Sequence, residues 1–236
     1  SNQGHSSGPF RMFEAGRVFY PRNGDLPEER ETVSGVLAGL RHESSWLEDE
    51  SLLDFYDAKG VVEWVLDRLG VAATYEPSEY PAFHPGRRAN IKVGDAFLGV
   101  VGEVHPSVME RLGLEQPQVS AFELDLDSIL VALPQSQRQF EPLPIYPSAT
   151  RDLALLAPAD VTAGQVTQLI LHHRGVGRAE LFDIYVGENI AQGSKSLAFH
   201  VYFQARDRTL TNEEVNRSLD GLLRTLEREL NVNLRA

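Results

Sequence analysis

Hydrophobic and polar positions change period several times along the chain, and each change marks an element. Residues 151–156 form a short, mostly apolar run that Pro158 and Asp160 break, as expected of a strand. Thr162 is a suitable N-cap for the segment that follows. There Val166, Leu169, Ile170 and His173 recur at spacings of three and four, which predicts a helix with one buried face, ended by Gly175 and Gly177. Residues 179–186 alternate, with Leu181, Asp183 and Tyr185 on one side and Phe182, Ile184 and Val186 on the other. Gly187, Asn189 and Gly193 signal a turn, and residues 197–204 alternate again, Leu197, Phe199, Val201 and Phe203 against Ala198, His200, Tyr202 and Gln204. Thr211 with Glu214 three residues on reads as a capping box. The stripe Val215, Leu219, Leu222, Leu223, Leu226 and Leu230 then predicts the longest helix, with residues 232–235 as a last short strand.

The N-terminal half is read more coarsely. Strands are expected near 14–20 and 32–40. A helix is expected over 56–69, with Ala58, Val61, Val62, Val65, Leu66 and Leu69 as its apolar face and Gly70 as its stop. Gly94 and Asp95 join the strand-like runs 89–93 and 96–101 in a hairpin, and 122–126 is a further alternating strand. The class is α+β. The C-terminal order, strand, helix, strand, strand, helix, strand, is that of a ferredoxin-like βαββαβ domain, which places both helices on one side of an antiparallel sheet and leaves the other side open. Phe182 and Ile184 are expected under the helices, so that Asp183 and Tyr185 face outward, with the Ser196 hydroxyl within reach of the same spot. An outward tyrosine offers a ring on which a base can stack, and a carboxylate can accept from N1 and the exocyclic amine of a guanine.

Composition narrows the classes of function. The 236 residues carry a formal charge of −12, unevenly spread: residues 1–139 have a net charge of −10 and residues 140–236 of −2. An acidic first half repels phosphate and is a poor candidate for the main RNA surface, and any RNA contact in the nearly neutral second half must be local. Pro134, Pro142, Pro144 and Pro147 mark a linker over 134–147, which divides a module over 13–133 from one over 148–236. Residues 1–12 are taken as a disordered lead-in or an expression scar. The chain has no cysteine, which excludes disulfides, thiol catalysis and thiolate metal sites. No apolar run approaches the roughly 20 residues of a membrane span, so no membrane partner is expected and the location is read as cytoplasmic.

Few motifs carry chemistry. The seven histidines show no metal-ligand spacing, and Gly175-Val-Gly177 follows a helix, so it is a turn and not a dinucleotide loop. Arg87 and Arg88, after His84-Pro85-Gly86, are candidates for an anion site. The plainer reading is a turn in which an arginine pairs with a nearby carboxylate, and Gly99, Gly102, Glu103 and His105 likewise read as a closely packed strand.

Several strings in a fixed order resemble one known family. Phe182-Asp-Ile-Tyr185, Lys195-Ser-Leu-Ala-Phe199 and Arg208-Thr-Leu-Thr-Asn-Glu-Glu214 resemble the ferredoxin-fold anticodon-binding domain that closes the β subunit of bacterial phenylalanyl-tRNA synthetase. Glu14-Ala-Gly-Arg-Val-Phe19, Asp54-Phe-Tyr-Asp-Ala-Lys-Gly60, Phe83-His-Pro-Gly-Arg87 and Gly99-Val-Val-Gly-Glu-Val-His-Pro106 are similar to successive segments of the class II synthetase-like module before it.

The resemblance implies a C-terminal portion of a longer β subunit, bound to the anticodon of phenylalanine tRNA and to a catalytic α subunit in an α2β2 assembly. It implies no catalytic residue, metal or cofactor in this chain, with ATP and Mg2+ used by the holoenzyme. Glu123 and Asp125 stand where a phosphate-binding arginine would be needed. Asp183, Tyr185 and Ser196 match the family's anticodon-contacting positions; Arg151 and Lys195 are added, apart from the resemblance, as basic RNA-contact candidates near the sheet. Two other readings remain: a regulatory ferredoxin-like module that binds an amino acid, and an assembly module with no RNA role.

Overall fold

A computed structural model describes residues 9–43, 45–47, 49–134, 145–188 and 190–235. The chain divides into two compact units, Ser1–Gln139 and Phe140–Ala236. Most of the expected linker, together with Asn189 of the expected turn, lies outside the described residues. Among the described residues no helix is long and apolar enough to cross a membrane.

The N-terminal unit is a six-stranded antiparallel sheet with helices against it. Its elements are β1 (Phe10–Tyr20), β2 (Glu28–Ala38), α1 (Phe55–Leu69), β3 (Thr74–Pro77), β4 (Phe83–Val93), β5 (Ala96–Val104), α2 (Pro106–Arg111), β6 (Val119–Asp125) and α3 (Leu126–Ala132). The strand order is β1-β2-β6-β5-β4-β3. Helix α1 starts at a capping box between Asp54 and Asp57, ends at Gly70 in the left-handed conformation (φ 76°), and buries Ala58, Val62 and Leu66 against Leu98, Val101, Phe122 and Leu124. The apolar face is narrower than the periodicity suggests: Val61 and Leu69 point to solvent, because one helix on a sheet covers a single stripe at i, i+4, i+8.

The boundaries correct several expectations. Strand β1 begins at Phe10, so Phe10, Arg11 and Met12 pair with Ala38, Leu37 and Val36 and belong to the sheet, not to a lead-in. Strand β2 begins at Glu28, and Leu126 opens α3 because the Asp125 side chain accepts from the Ser128 N–H at 2.7 Å and turns the chain into a helix. The close packing read into the β5 glycines is present. A Cβ on Gly102 would lie 2.4 Å from the Phe83 ring, and one on Gly99 would lie 2.1 Å from the Glu123 carbonyl oxygen.

The C-terminal unit has the predicted order: β7 (Ala149–Pro158), α4 (Ala163–His172), β8 (Val176–Tyr185), β9 (Ser194–Phe203), α5 (Asn212–Leu230) and β10 (Asn233–Leu234), in the antiparallel sheet β10-β7-β9-β8. Capping boxes at Thr162/Gln165 and Thr211/Glu214 start the two helices, and Asn231 (φ 53°) ends the second. Gly175 ends the turn after α4, whereas Gly177 already lies inside β8. Leu153, Leu155, Leu197, Phe199, Val201 and Phe203 from the sheet meet Val166, Ile170, Val215, Leu222 and Leu226 from the helices in one core. The Gln204 side chain donates to the Tyr146 carbonyl at 2.5 Å, which ties the start of the unit to its sheet.

Candidate nucleic-acid interface

The side of this sheet away from α4 and α5 is set by strand parity. On β9, Leu197, Phe199, Val201 and Phe203 are fully buried under the helices, so Ser196, Ala198, His200 and Tyr202 face the other way. Register then assigns the neighbours: Asp152 beside His200, Ala154 beside Ala198 and Leu156 beside Ser196 on β7, with Glu180 beside His200, Asp183 beside Ala198 and Tyr185 beside Ser196 on β8. The outward placement of Asp183 and Tyr185 thus agrees with the sequence expectation, and Ser196 sits next to Tyr185 on the neighbouring strand.

The route to that placement differs from simple alternation. Leu181 pairs with Phe199 and packs on the core, whereas Asp183 pairs with Ala198, so Phe182 is an extra residue in a β-bulge. The bulge resets the parity of β8 and brings Asp183 and Tyr185 to the open face. It also corrects the expectation for Phe182, which is not under the helices: it is 53% exposed and stacks on His200, with ring centroids 4.1 Å apart and planes 16° from parallel. Ile184 does point to the helix side, opposite Leu197, but on this edge strand it is half exposed.

Small residues floor the middle of the face. Ala154, Ala198 and Ser196 lie between the two edge strands, and Ser196 is only 4% exposed. Over this floor Tyr185 on β8 meets Arg235, which follows β10 on the opposite edge and is anchored through its N–H to the Ala154 carbonyl at 2.7 Å. The Arg235 guanidinium stands 5.8 Å from the Tyr185 ring centroid, and the Tyr185 hydroxyl donates to the Glu188 carbonyl at 3.0 Å. The ring is held at its far end and is 40% exposed.

A second group of side chains occupies the other end of the face. His200 Nδ1 lies 2.7 Å from Asp152 Oδ1, the Tyr202 hydroxyl donates to Glu180 Oε2 at 2.9 Å, and the Arg178 guanidinium is 5.2 Å from the Tyr202 ring centroid. The hydrogen bond to Glu180 raises the Tyr202 pKa above its ordinary value. The same bond, with Arg178 nearby, holds the Glu180 carboxyl below its own.

Two sequence candidates are not brought to this face. Arg151 pairs with buried Val201, so its side chain leaves on the helix side and donates to Asn212 and Asn216 of α5, each at 3.5 Å. Lys195 pairs with buried Ala157 and donates to the Ala159 carbonyl at 2.9 Å. Both sit an odd number of residues from the open-face positions of their strands, a parity already present in the sequence. The same rule applied to β9 identifies His200, whereas Phe182 needs the bulge and Arg235 needs the width of the sheet to be recognised.

In the N-terminal unit the candidate anion site is occupied by the protein's own groups. Arg87 Nη1 contacts both carboxylate oxygens of Glu103, at 2.6 and 2.7 Å, and Arg88 donates to the Tyr80 and Phe83 carbonyls. Glu103 is 7% exposed, and its hydrogen bond raises the Arg87 pKa. Glu123 lies in β6, while Asp125 caps α3 and stands 3.6 Å from Arg30. This donor set does not fit a triphosphate: its arginines are engaged and its remaining groups are anionic. No group of three or more His, Asp or Glu suited to a metal ion occurs among the described residues.

The chain thus comprises two α+β units, one a broad antiparallel sheet whose candidate anion site is filled by its own groups and the other a ferredoxin-like domain with aromatic residues on its open face. The model of the phenylalanyl tRNA synthetase beta chain CLM domain family matches residues 1–126, and that of the ferredoxin-fold anticodon binding domain matches residues 144–235. The chain belongs to the phenylalanyl-tRNA synthetase beta chain family. It is 35% identical to the phenylalanine–tRNA ligase beta subunit of Dehalococcoides mccartyi strain 195 over 236 residues, 100% of this chain and 29% of the relative. The beta subunit of Halalkalibacterium halodurans is 37% identical over 231 residues (95% and 28%), and that of Bacillus subtilis strain 168 is 37% identical over 221 (92% and 27%). The chain therefore spans less than a third of the length of these relatives.

Proposed function

We propose that the C-terminal unit binds the anticodon loop of phenylalanine tRNA on its open sheet face. The observation that carries this reading is the arrangement of Tyr185 and Arg235 over a floor of small residues, with Asp183 beside them. A base entering there displaces the guanidinium from the ring, stacks on the tyrosine with the cation beside it, and presents donors on its edge to the carboxylate. Ser196 lines the same floor. Lys195 and Arg151 have no part in the face.

The N-terminal unit has the complementary role of seating a catalytic α subunit. Its hairpin β1–β2 exposes Phe13 and Phe19 on one side of β1 and Met12 and Tyr20 on the other, and the turn between the strands exposes Leu26 (81%), apolar positions available to a protein partner. ATP and Mg2+ then serve the α subunit, because Arg87 and Arg88 of this unit are committed to Glu103 and to backbone carbonyls. An α2β2 assembly in the cytoplasm completes the reading. A regulatory amino-acid site has no support from any described feature of the sheet face.

The test is titration of the 236-residue chain with an anticodon stem-loop of phenylalanine tRNA. Tyr185→Ala should weaken binding about tenfold, as expected for loss of one stacked base, and free amino acid should give no thermal shift. Unchanged affinity in Tyr185→Ala and Asp183→Ala would remove the proposed face from consideration.

A further inference from the structure

We propose a second base-stacking subsite on the same sheet, built on Phe182 at the β8 bulge and held in position by His200 and Asp152; it rests on the anticodon reading and extends it to a second unpaired nucleotide. Three observations converge on it. The bulge turns an apolar ring out of the helix-covered layer onto the open face, where it is 53% exposed. One side of that ring is backed by the parallel His200 imidazole at 4.1 Å, which leaves its other side free. The imidazole is in turn fixed by its Nδ1, 2.7 Å from Asp152 Oδ1 on the next strand.

Phe182 stands outside the core that the helices cover, so burial does not account for its orientation. The row Asp152, His200, Phe182 runs across β7, β9 and β8 and ends at a flat apolar surface. That geometry suits the π-face of any base, and it makes the subsite tolerant of sequence, whereas Asp183 next to Tyr185 selects for donors. Tyr185 lies three positions beyond Phe182, at most roughly 10 Å at the strand rise and less across the bulge, with the two unbulged steps alone spanning about twice the ~3.4 Å spacing of stacked bases. The two platforms therefore cannot receive bases stacked directly on each other. They take two nucleotides of a splayed single strand, with the Asp183 carboxylate between them. Phe182 touches the base, while His200 and Asp152 are positioning residues.

The chain is titrated with anticodon stem-loop RNAs in which each loop nucleotide in turn is abasic, in the parent and in Phe182→Ala, Phe182→Leu, Phe182→Tyr and Tyr185→Ala. Phe182→Ala and Phe182→Leu should each weaken binding about tenfold, and Phe182→Tyr should retain it. The loss from Phe182→Ala should vanish against one abasic position only, different from the position that cancels Tyr185→Ala, which identifies the base that each ring holds. His200→Ala should weaken the parent several-fold and leave Phe182→Ala unchanged, while His200→Phe, which restores a ring behind Phe182, keeps most of the affinity.

Additive losses for Phe182 at every abasic position, with normal coupling for Tyr185, overturn the second subsite and leave the anticodon reading standing. Tight binding by Phe182→Leu has the same meaning, since that variant keeps an apolar side chain at the bulge without a ring. Failure of the parent chain to bind any stem-loop overturns both.

Discussion

Arg235 and Tyr185 belong to opposite edges of the four-stranded sheet and meet above its middle, the guanidinium 5.8 Å from the ring centroid. Of the residues beneath them Ala154, Ala198 and Ser196 are small, with Leu156 beside Ser196 on the same face. The pair is exposed, so its own cation–π energy is at most about 1 kcal/mol. On the proposed reading its value lies in holding a cation beside an aromatic platform. Arg235→Ala should weaken stem-loop binding several-fold and lower the salt dependence of binding, whereas Tyr185→Ala should weaken binding with little change in salt slope. Titrations of both variants at two ionic strengths check this directly.

On the proposed reading, Asp183 supplies the discriminating contact beside Tyr185. It pairs in register with Ala198 and lies two positions from Tyr185 on the same face, beside the edge of a base stacked there. A stem-loop in which the guanine is replaced by inosine lacks the exocyclic amine and should bind the parent less tightly, by about tenfold if a full charged hydrogen bond is lost. In Asp183→Ala the guanine and inosine forms should bind alike. Equal discrimination in parent and variant would assign guanine recognition to another group.

Much of this arrangement is legible in the sequence because period-two patterning fixes both strand and face. The alternation over 197–204 assigns the β9 faces, and the capping boxes at Thr162 and Thr211 place the helices that cover one of them. Alternation fails at Phe182, where one inserted residue inverts the parity, and a bulge depends on how β8 pairs with β9, which no local window contains. Arg151 and Lys195 are different: their parity with Leu153 and Leu197 is plain in the sequence and places them on the helix side, but a charge near a proposed RNA site invites the opposite conclusion. Arg235 depends on β10 lying two strands from β9, a consequence of topology alone. In the N-terminal unit, β3, α2 and α3 span 4–7 residues each, too few for a periodic signal.

Two glycines of the N-terminal unit should respond in opposite ways to the same change. Gly35 faces Phe122 so closely that a Cβ would lie 2.2 Å from its ring, and neither the strand β2 nor a buried ring of the core can yield freely. Gly35→Ala should destabilise the unit by about 1–3 kcal/mol through overpacking. Gly60 lies in the middle of α1, where an added methyl group would meet nothing within 4 Å, so Gly60→Ala should stabilise by roughly 0.5–1 kcal/mol through helix propensity. Urea unfolding of the two variants reads both signs in one experiment.

Acid sensitivity of the N-terminal unit should reside in part in the contact between Arg41 and Asp57. Burial by itself raises the Asp57 pKa, but the Arg41 guanidinium, at 2.9 Å, and the Asp54 N–H, at 2.8 Å, outweigh it and hold the carboxyl below its ordinary value of 3.8. A carboxyl that binds its proton less readily in the folded state contributes stability above the unfolded pKa and loses that contribution as pH falls through the lower, folded value. The contact joins the segment after β2 to the capping box of α1, where Asp57 also accepts from the Asp54 backbone. Arg41→Gln should therefore cost on the order of 1 kcal/mol near neutral pH, and the difference from the parent should shrink as the pH is lowered past the ordinary aspartate range. Denaturant midpoints measured for both proteins across that range provide the check, and a constant gap down to the acid limit would show that Arg41 acts through packing and not through the charge on Asp57.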